Sequence, residues 1–388
     1  MRQPTTPVRA ANAPLAADFP AARVRVLGMN GFDQAVLERA RALGFDRVGI
    51  ASAEGALEPE YSRYVAFVEA GKHGKMAYLA DSREARQRLD TAAILEGARS
   101  VVCVAERYAG AERPGRGPGP EPDTGGIADN IARYARGSDY HNHLRRRLRR
   151  LAAFVRTLGE GTQARPMTDD APVLERAWAA RAGLGFVGKN GLLIAPGLGS
   201  FVLVGEVVTT LELTPGVPMG ERCGSCTLCL DACPTGAFDA PFVLDPRRCI
   251  SYLTIELRGP MPEALRPRIG ENLFGCDDCQ TVCPYNRTPG DTKARYLPFA
   301  RWGETSLEAL VDLDEAAFRA LAEGSPVKRA TREGLARNAV TVLANRRDPR
   351  YRGVLERAAR EHPDETVRAH AAWGLALLDD AALDDAAE

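Results

Sequence analysis

Nine cysteines stand in this 388-residue chain, and all but Cys103 fall between positions 223 and 283. The first run is Cys223-x-x-Cys226-x-x-Cys229-x-x-x-Cys233-Pro234. Three thiolates so spaced wrap one iron–sulfur cube, and the fourth, redirected by the proline, reaches another. A zinc site more often takes its ligands as two separated pairs. The second run, Cys276-x-x-Cys279-x-x-x-Cys283-Pro284, lacks the first cysteine of the pattern, and Cys249 can supply it. The crossover rule then gives Cys223, Cys226, Cys229 and Cys283 to one [4Fe-4S] cluster, and Cys233, Cys249, Cys276 and Cys279 to the other. Cubes held by interlocked runs lie within reach of electron transfer. Cys103 sits in an apolar strand and is expected to be core.

A ferredoxin region is a minor part of this chain, so the electrons serve a site elsewhere. Gly183-Leu184-Gly185-Phe186-Val187-Gly188 has the letters of a dinucleotide fingerprint. It follows a helix and precedes a strand, whereas that fingerprint needs strand, glycines, then helix. Nicotinamide is therefore disfavoured. Lys plus Arg and Asp plus Glu both total 51, so net charge points to neither nucleic acid nor membrane. Basic charge is local: from His143 to Arg150, Leu144, Leu148 and, beyond them, Leu151 share one helix face and arginines take the others. Such arginines either face solvent or contact phosphate. No apolar run is long enough to span a membrane, and residues 1–25 lack the apolar core of a secretory signal. The expectation is a cytoplasmic monomer with no membrane contact, whose clustered cysteines do metal or redox chemistry.

Four regions must position these residues: a disordered tail at 1–30, an α/β domain at 31–214, a ferredoxin-like two-cluster domain at 215–295, and a helical domain at 296–388. In the α/β domain a helix is expected at 34–43, strands at 47–51 and 100–105, and a Gly/Pro-rich loop at 113–126. A helix starts near His141 with Ser138 or Asp139 as cap, and another spans 172–182. Strands at 191–194 and 201–209, joined by Pro196-Gly197-Leu198-Gly199, read as a hairpin. The stretches 328–343 and 365–375 look related and resemble HEAT repeats, too few to stand without the preceding domain.

From about Phe32 onward the chain resembles the epoxyqueuosine reductase family, cobalamin-dependent enzymes of queuosine synthesis in tRNA. The resemblance rests on Arg133-Tyr134-Ala135-Arg136-Gly137-Ser138-Asp139-Tyr140-His141, on residues 169–176, on the glycine stretch ending in Lys189-Asn190, on both cysteine runs, and on the helical repeats after them. It implies reduction of the epoxide on the modified wobble base to an alkene. It further implies that the α/β domain binds cob(II)alamin and that two [4Fe-4S] clusters, fed by an external electron donor, deliver single electrons. In the implied chemistry reduced cobalt attacks an epoxide carbon and an acid protonates the opening oxygen, a task for a carboxyl whose pKa burial has raised. The matching acid is Asp169. Thr168 and Asp170 depart from the family pattern, and the adjacent acid can shift its neighbour. Arg88, Asp139, Tyr140, His141 and Arg176 match positions near cofactor or substrate, and Lys189 and Asn190 are placed to line the corrin edge. Lys328, Arg329, Arg332 and Arg337 are candidates to grip the anticodon arm of the tRNA. A corrinoid reductase of the reductive dehalogenase type and a non-enzymatic electron-transfer module are the competing readings.

Overall fold

The computed structural model describes residues 31–110, 126–287 and 290–386. The expected tail at 1–30, and all but Gly126 of the expected loop at 113–126, lie outside them. The first region runs α1 (Gly31–Ala42), β1 (Arg47–Ser52), α2 (Glu60–Glu69), α3 (Arg83–Gln87), β2 (Ser100–Arg107), α4 (Tyr140–Val155), β3 (Ala164–Met167), α5 (Glu175–Arg181), β4 (Phe186–Val187), β5 (Leu193–Ile194) and β6 (Val202–Thr209). Its main sheet has the order β1-β2-β6-β3, with every neighbouring pair antiparallel. Helices thus cover an antiparallel sheet, without the parallel crossovers usual in α/β folds.

The near-continuous apolar run of β2 follows from burial of both faces. Val102 and Val104 pack with Val36 and Leu37 of α1 and with Leu144, Leu148 and Leu151 of α4. Val101, Cys103 and Ala105 face the other way, onto Trp178 and Ala179 of α5. Cys103 is fully buried there, as expected. Each large α4 side chain so buried contributes about 1.5–3 kcal/mol. The helix begins where Asp139 accepts the N–H of His141, satisfying one of the first-turn donors.

Two expectations fail in this region. Not all arginines of α4 face solvent: Arg147 is buried and ion-paired to Glu106. The helix crosses β2 over that fully buried carboxylate, which needs a cation. The expected hairpin does not form either. β5 pairs with β4, while β6 pairs with β2 and β3. The connection at 196–199 closes only a local bridge between Ala195 and Gly199. β6 finds two long partners in the sheet, and β5 has none to offer it.

The cysteine-rich region holds α6 (Leu228–Asp231), a small hairpin of β7 (Phe238–Ala240) and β8 (Val243–Leu244), and α7 (Asp278–Thr281). Then come α8 (Arg301–Glu304), α9 (Leu307–Val311), α10 (Glu315–Ala322), α11 (Arg332–Asn345), α12 (Arg352–Glu361) and α13 (Glu365–Ala386). One core runs from Ile127 and Ile131 through Leu253, Leu273 and Phe274 to Val340, Leu355 and Val367. The helices therefore lean on the cysteine-rich region, as expected. Asn338 of α11 donates to the carbonyls of Thr254 and Leu273, and His370 of α13 accepts the N–H of Met261. Arg337 departs from its expected surface role. It is 2 % exposed, and its guanidinium donates to the carbonyls of Leu253, Leu257 and Gly259.

Candidate active site

Asp169 follows β3 in a turn with φ of 53°, a left-handed conformation that Asp tolerates better than most residues. Tyr140, at the start of α4, donates its hydroxyl to Asp169 Oδ2 at 2.7 Å. His141 stacks on the Tyr140 ring with centroids 4.0 Å apart, and its Nε2 lies 3.5 Å from the same oxygen. The other face of His141 is held by Asp139, with Nδ1 to Oδ1 at 2.8 Å. Lys328 reaches in from the helical region to Asp139 Oδ2 at 2.8 Å. Asp139 thus both caps α4 and orients the imidazole. Asp170 turns away, accepting from the Thr168 N–H and pairing with Arg145.

The electrostatics differ from the sequence expectation of a raised Asp169 pKa. Burial works against its charge, but hydrogen bonds from His141 and Tyr140 and the charges of His141 and Arg176 hold its carboxyl below the usual range. Burial also disfavours charge on His141, yet Asp139 and Asp169 outweigh it and lift the imidazole to about 9. Lys328 and His141 keep Asp139 ionised despite burial. At neutral pH the proton therefore sits on His141, beside an ionised Asp169. The Asp169 side chain is 62 % accessible, although the protein packed around it also imposes a burial penalty on its charge. It borders a hollow, and so does Arg176, which is exposed yet similarly desolvated.

The turn at 188–191 joins this hollow to the cysteines. Arg176 Nη1 donates to Gly191 O at 2.5 Å. Asn190 is 4 % exposed; its Oδ1 accepts the Leu192 N–H, and its Nδ2 has no partner among the described residues. Lys189 does something the sequence did not suggest. Its ammonium donates to Gly224 O at 2.6 Å and Cys226 O at 3.0 Å, and its backbone N–H is aimed at the Cys223 thiol. Arg88 stands apart. It pairs with Glu84 and lines a separate cleft with Glu54, Asp90 and Arg99.

The seven cysteines of the two runs and Cys249 influence one another in two sets. Cys283 acts electrostatically on Cys223, and Cys226 and Cys229 act on Cys283. Cys249 acts on Cys276 and Cys279, and Cys233 on Cys249 and Cys279. Cys229 acts on Cys279 across the sets. Burial first, then nearby negative charge, pushes up the thiols of Cys229, Cys249, Cys276 and Cys279, and those of Cys223 to about 12 and Cys283 to about 11. Against this, backbone N–H groups are aimed at sulfur: Ala237 at Cys233, at 3.3 Å, Ser251 and Tyr252 at Cys249, Asp278 at Cys276, and Tyr285 and Asn286 at Cys283. Buried thiols facing rings of N–H donors suit thiolates whose charge iron shares.

Glu175 and Glu206 escaped the sequence reading. Glu175 Oε1 accepts the Asp169 N–H at 2.5 Å. Glu206 lies fully buried in β6. A lone acid within Val202-Leu203-Val204-Gly205-Glu206-Val207-Val208 was the available signal. Lys328 was read as a candidate tRNA contact, not as a partner of Asp139.

Two family models match the chain, "Epoxyqueuosine reductase QueG, DUF1730" over residues 88–170 and "4Fe-4S double cluster binding domain" over residues 222–286. The epoxyqueuosine reductase of Gloeobacter violaceus is 41 % identical over 79 % of this chain and 94 % of its own length. That of Pseudomonas aeruginosa is 39 % identical over 88 % and 93 %. A crystal structure of epoxyqueuosine reductase with an epoxyqueuosine-modified tRNA-Tyr stem loop superposes with a TM-score of 0.80 at 30 % identity, covering 89 % of each chain. The Streptococcus thermophilus enzyme gives 0.77 at 29 %, over 89 % and 90 %.

Proposed function

The chain belongs to the epoxyqueuosine reductase family, and from that premise we propose how its own residues reduce epoxyqueuosine in tRNA to queuosine, with cobalamin in the hollow and two [4Fe-4S] clusters as electron supply. The observation that carries this is the turn at 188–191. It sits between the Asp169 hollow, through Arg176 and Gly191, and the first cysteine run, through Lys189. Acid chemistry and electron supply thereby meet at one turn.

The residues present fit a corrin. The hollow is polar, and Asn190 keeps a buried amide N–H₂ without a partner among the described residues; a corrin's amide fringe offers matching acceptors. Arg176 and Asn190 would hold it, with Tyr140 and His141 nearby. Arg88, in its own cleft, would meet only an outlying part. When bound, the group supplies a reduced cobalt centre able to open the epoxide. The chain's part is proton handling. Asp169 is the donor to the opening oxygen, and the His141 Nε2 proton, 3.5 Å away, recharges it. Tyr140 fixes the carboxylate rotamer. A matching Bacillus subtilis structure is described with its catalytic loop, carrying an aspartate, swung out of the active site; the left-handed turn at Asp169 is the corresponding mobile element on this reading.

We assign Cys223, Cys226, Cys229 and Cys283 to one cluster and Cys233, Cys249, Cys276 and Cys279 to the other, supported by the two electrostatic sets. Lys328 and Arg329, both more than half exposed, border the hollow and are our candidates for tRNA phosphate contact. Domain limits of 31–214, 215–295 and 296–388, a HEAT-like reading of α11 to α13, cytoplasmic location as a monomer, and an external electron donor complete the proposal. Among the described residues no helix is long and apolar enough to cross a membrane. The test is assay of the cobalamin-loaded protein, with a chemical reductant, on tRNA bearing epoxyqueuosine. Nucleoside analysis should show queuosine; unchanged epoxyqueuosine would overturn the reading.

A further inference from the structure

Two glutamates lie fully buried on adjacent strands of the main sheet, in opposite surroundings. Glu106 of β2 is ringed by donors: Arg147, Lys293, Arg295 and the Tyr296 hydroxyl. Those partners outweigh its burial and keep it ionised. Glu206 of β6 has no hydrogen-bond donor to either carboxyl oxygen among the described residues. Its cross-strand neighbours are Cys103 and Met167, on the face covered by α5. From α5, Glu175 meets it carboxyl to carboxyl.

Nearby charges do not neutralise this pair. Asp169 and Asp170, in the loop after β3, add negative potential. Arg145 of α4 is paired with Asp170, and Tyr140 of α4 gives its hydroxyl to Asp169. Arg176 of α5 favours the ionised form of Glu175 but donates to Gly191 O. Cys103 of β2 is a buried thiol. An unpaired carboxylate at full burial costs several kcal/mol or more, so two ionised carboxylates in contact cannot persist. A proton between them removes the conflict.

Glu175 also holds Asp169. Its Oε1 accepts the Asp169 N–H in the turn where φ is 53°. We propose that Glu175 and Glu206 share one proton in a carboxyl–carboxylate bridge, and that this bridge is a positioning device fixing the turn that presents the Asp169 carboxyl to the hollow. Burial, then the Asp169 charge, lifts Glu175 to about 8, and burial, then Glu175, lifts Glu206 well above its usual range. The catalytic meaning rests on Asp169 as proton donor; the bridge itself does not.

The experiment uses infrared difference spectra, in H₂O and D₂O, of the full chain as wild type, Glu206→Gln and Glu175→Gln. Both substitutions keep side-chain shape, and each amide can donate to the remaining carboxylate. The wild type should show a deuterium-sensitive protonated-carboxyl band at pH 7. Both variants should lack that band at unchanged iron content and circular dichroism. In single-turnover assays, Glu206→Gln should slow turnover without change in tRNA affinity. A wild-type spectrum equal to both variants in the protonated-carboxyl region overturns the bridge. Asp169→Asn with full turnover would overturn the donor role instead and leave the infrared result standing.

Discussion

Asp169 is ionised in this arrangement while the donor role proposed for it needs a proton, and the imidazolium that could supply one is His141, 3.5 Å away. Acid and reservoir are separate side chains, joined through one carboxylate oxygen. Asp169→Asn should keep corrin absorbance while turnover on epoxyqueuosine tRNA falls at least about 100-fold; near-normal turnover would move the role to Asp170. The His141 charge also has a signature in stability. Its folded pKa, about 9, stands above the ordinary 6.5, so the folded state binds this proton more tightly. The stabilisation is full below about pH 6.5 and is lost as pH rises through about 9. Over that span the melting temperature of the wild type should drop more steeply than that of His141→Gln. Equal slopes would show that the imidazolium contributes nothing to the fold. Asp169, Tyr140 and His141 were legible from the sequence through motif resemblance. The direction of the Asp169 shift was not, because it depends on Tyr140, His141 and Arg176 converging from α4 and α5.

At the scale of elements, the cysteine runs fold as their spacing dictates, each with one short helix carrying a middle cysteine. Cys249 is the exception, since it stands outside both runs and reaches its set only by the fold of the intervening chain. Cys249→Ser should lower bound iron by about half, one cluster being lost, whereas Cys103→Ala should leave iron unchanged. Full iron in Cys249→Ser would return the second set to three ligands and an unassigned fourth. Asn338 plays a comparable part in α11, satisfying two buried carbonyls of the cysteine-rich region. Asn338→Ala should destabilise the protein by about 2–4 kcal/mol, read from chemical unfolding, because both acceptors stay buried without a donor. A change under about 0.5 kcal/mol would mean that water takes the place of the amide. Sequence periodicity found most helices and the strands β1, β2 and β6. It misjudged the partner of β5, since a Pro-Gly turn marks a bend without saying which strands pair across it.

At the scale of the whole molecule, Lys328 ties the helical region to the acid site, and the core from Ile127 to Val367 joins the cysteine-rich region to the helices. The tRNA contact proposed for the helices would thereby be coupled to the geometry around His141. Binding of epoxyqueuosine tRNA should weaken with salt, and Lys328→Gln with Arg329→Gln should reduce the slope of log affinity against log salt by about 1.5. An unchanged slope would place the phosphate contacts elsewhere, with the exposed Arg149 and Arg150 of α4 next to be tested.

Spacing alone indicated two cubes, because cluster ligation within a run is local and leaves a fixed pattern of three-residue steps, whereas the place proposed for Cys249 depends on the fold. Motif resemblance named Asp169 and its α4 neighbours. Tertiary structure alone decided which cations stand exposed to a phosphate and which are buried. Arg147 and Arg337 look like surface charge in one dimension, yet they neutralise a buried carboxylate and buried carbonyls. It also decided that Glu206, on a strand whose neighbours are a cysteine and a methionine, finds a second carboxyl and no cation. Burial and pairing are properties of distant segments brought together, and no local pattern encodes them.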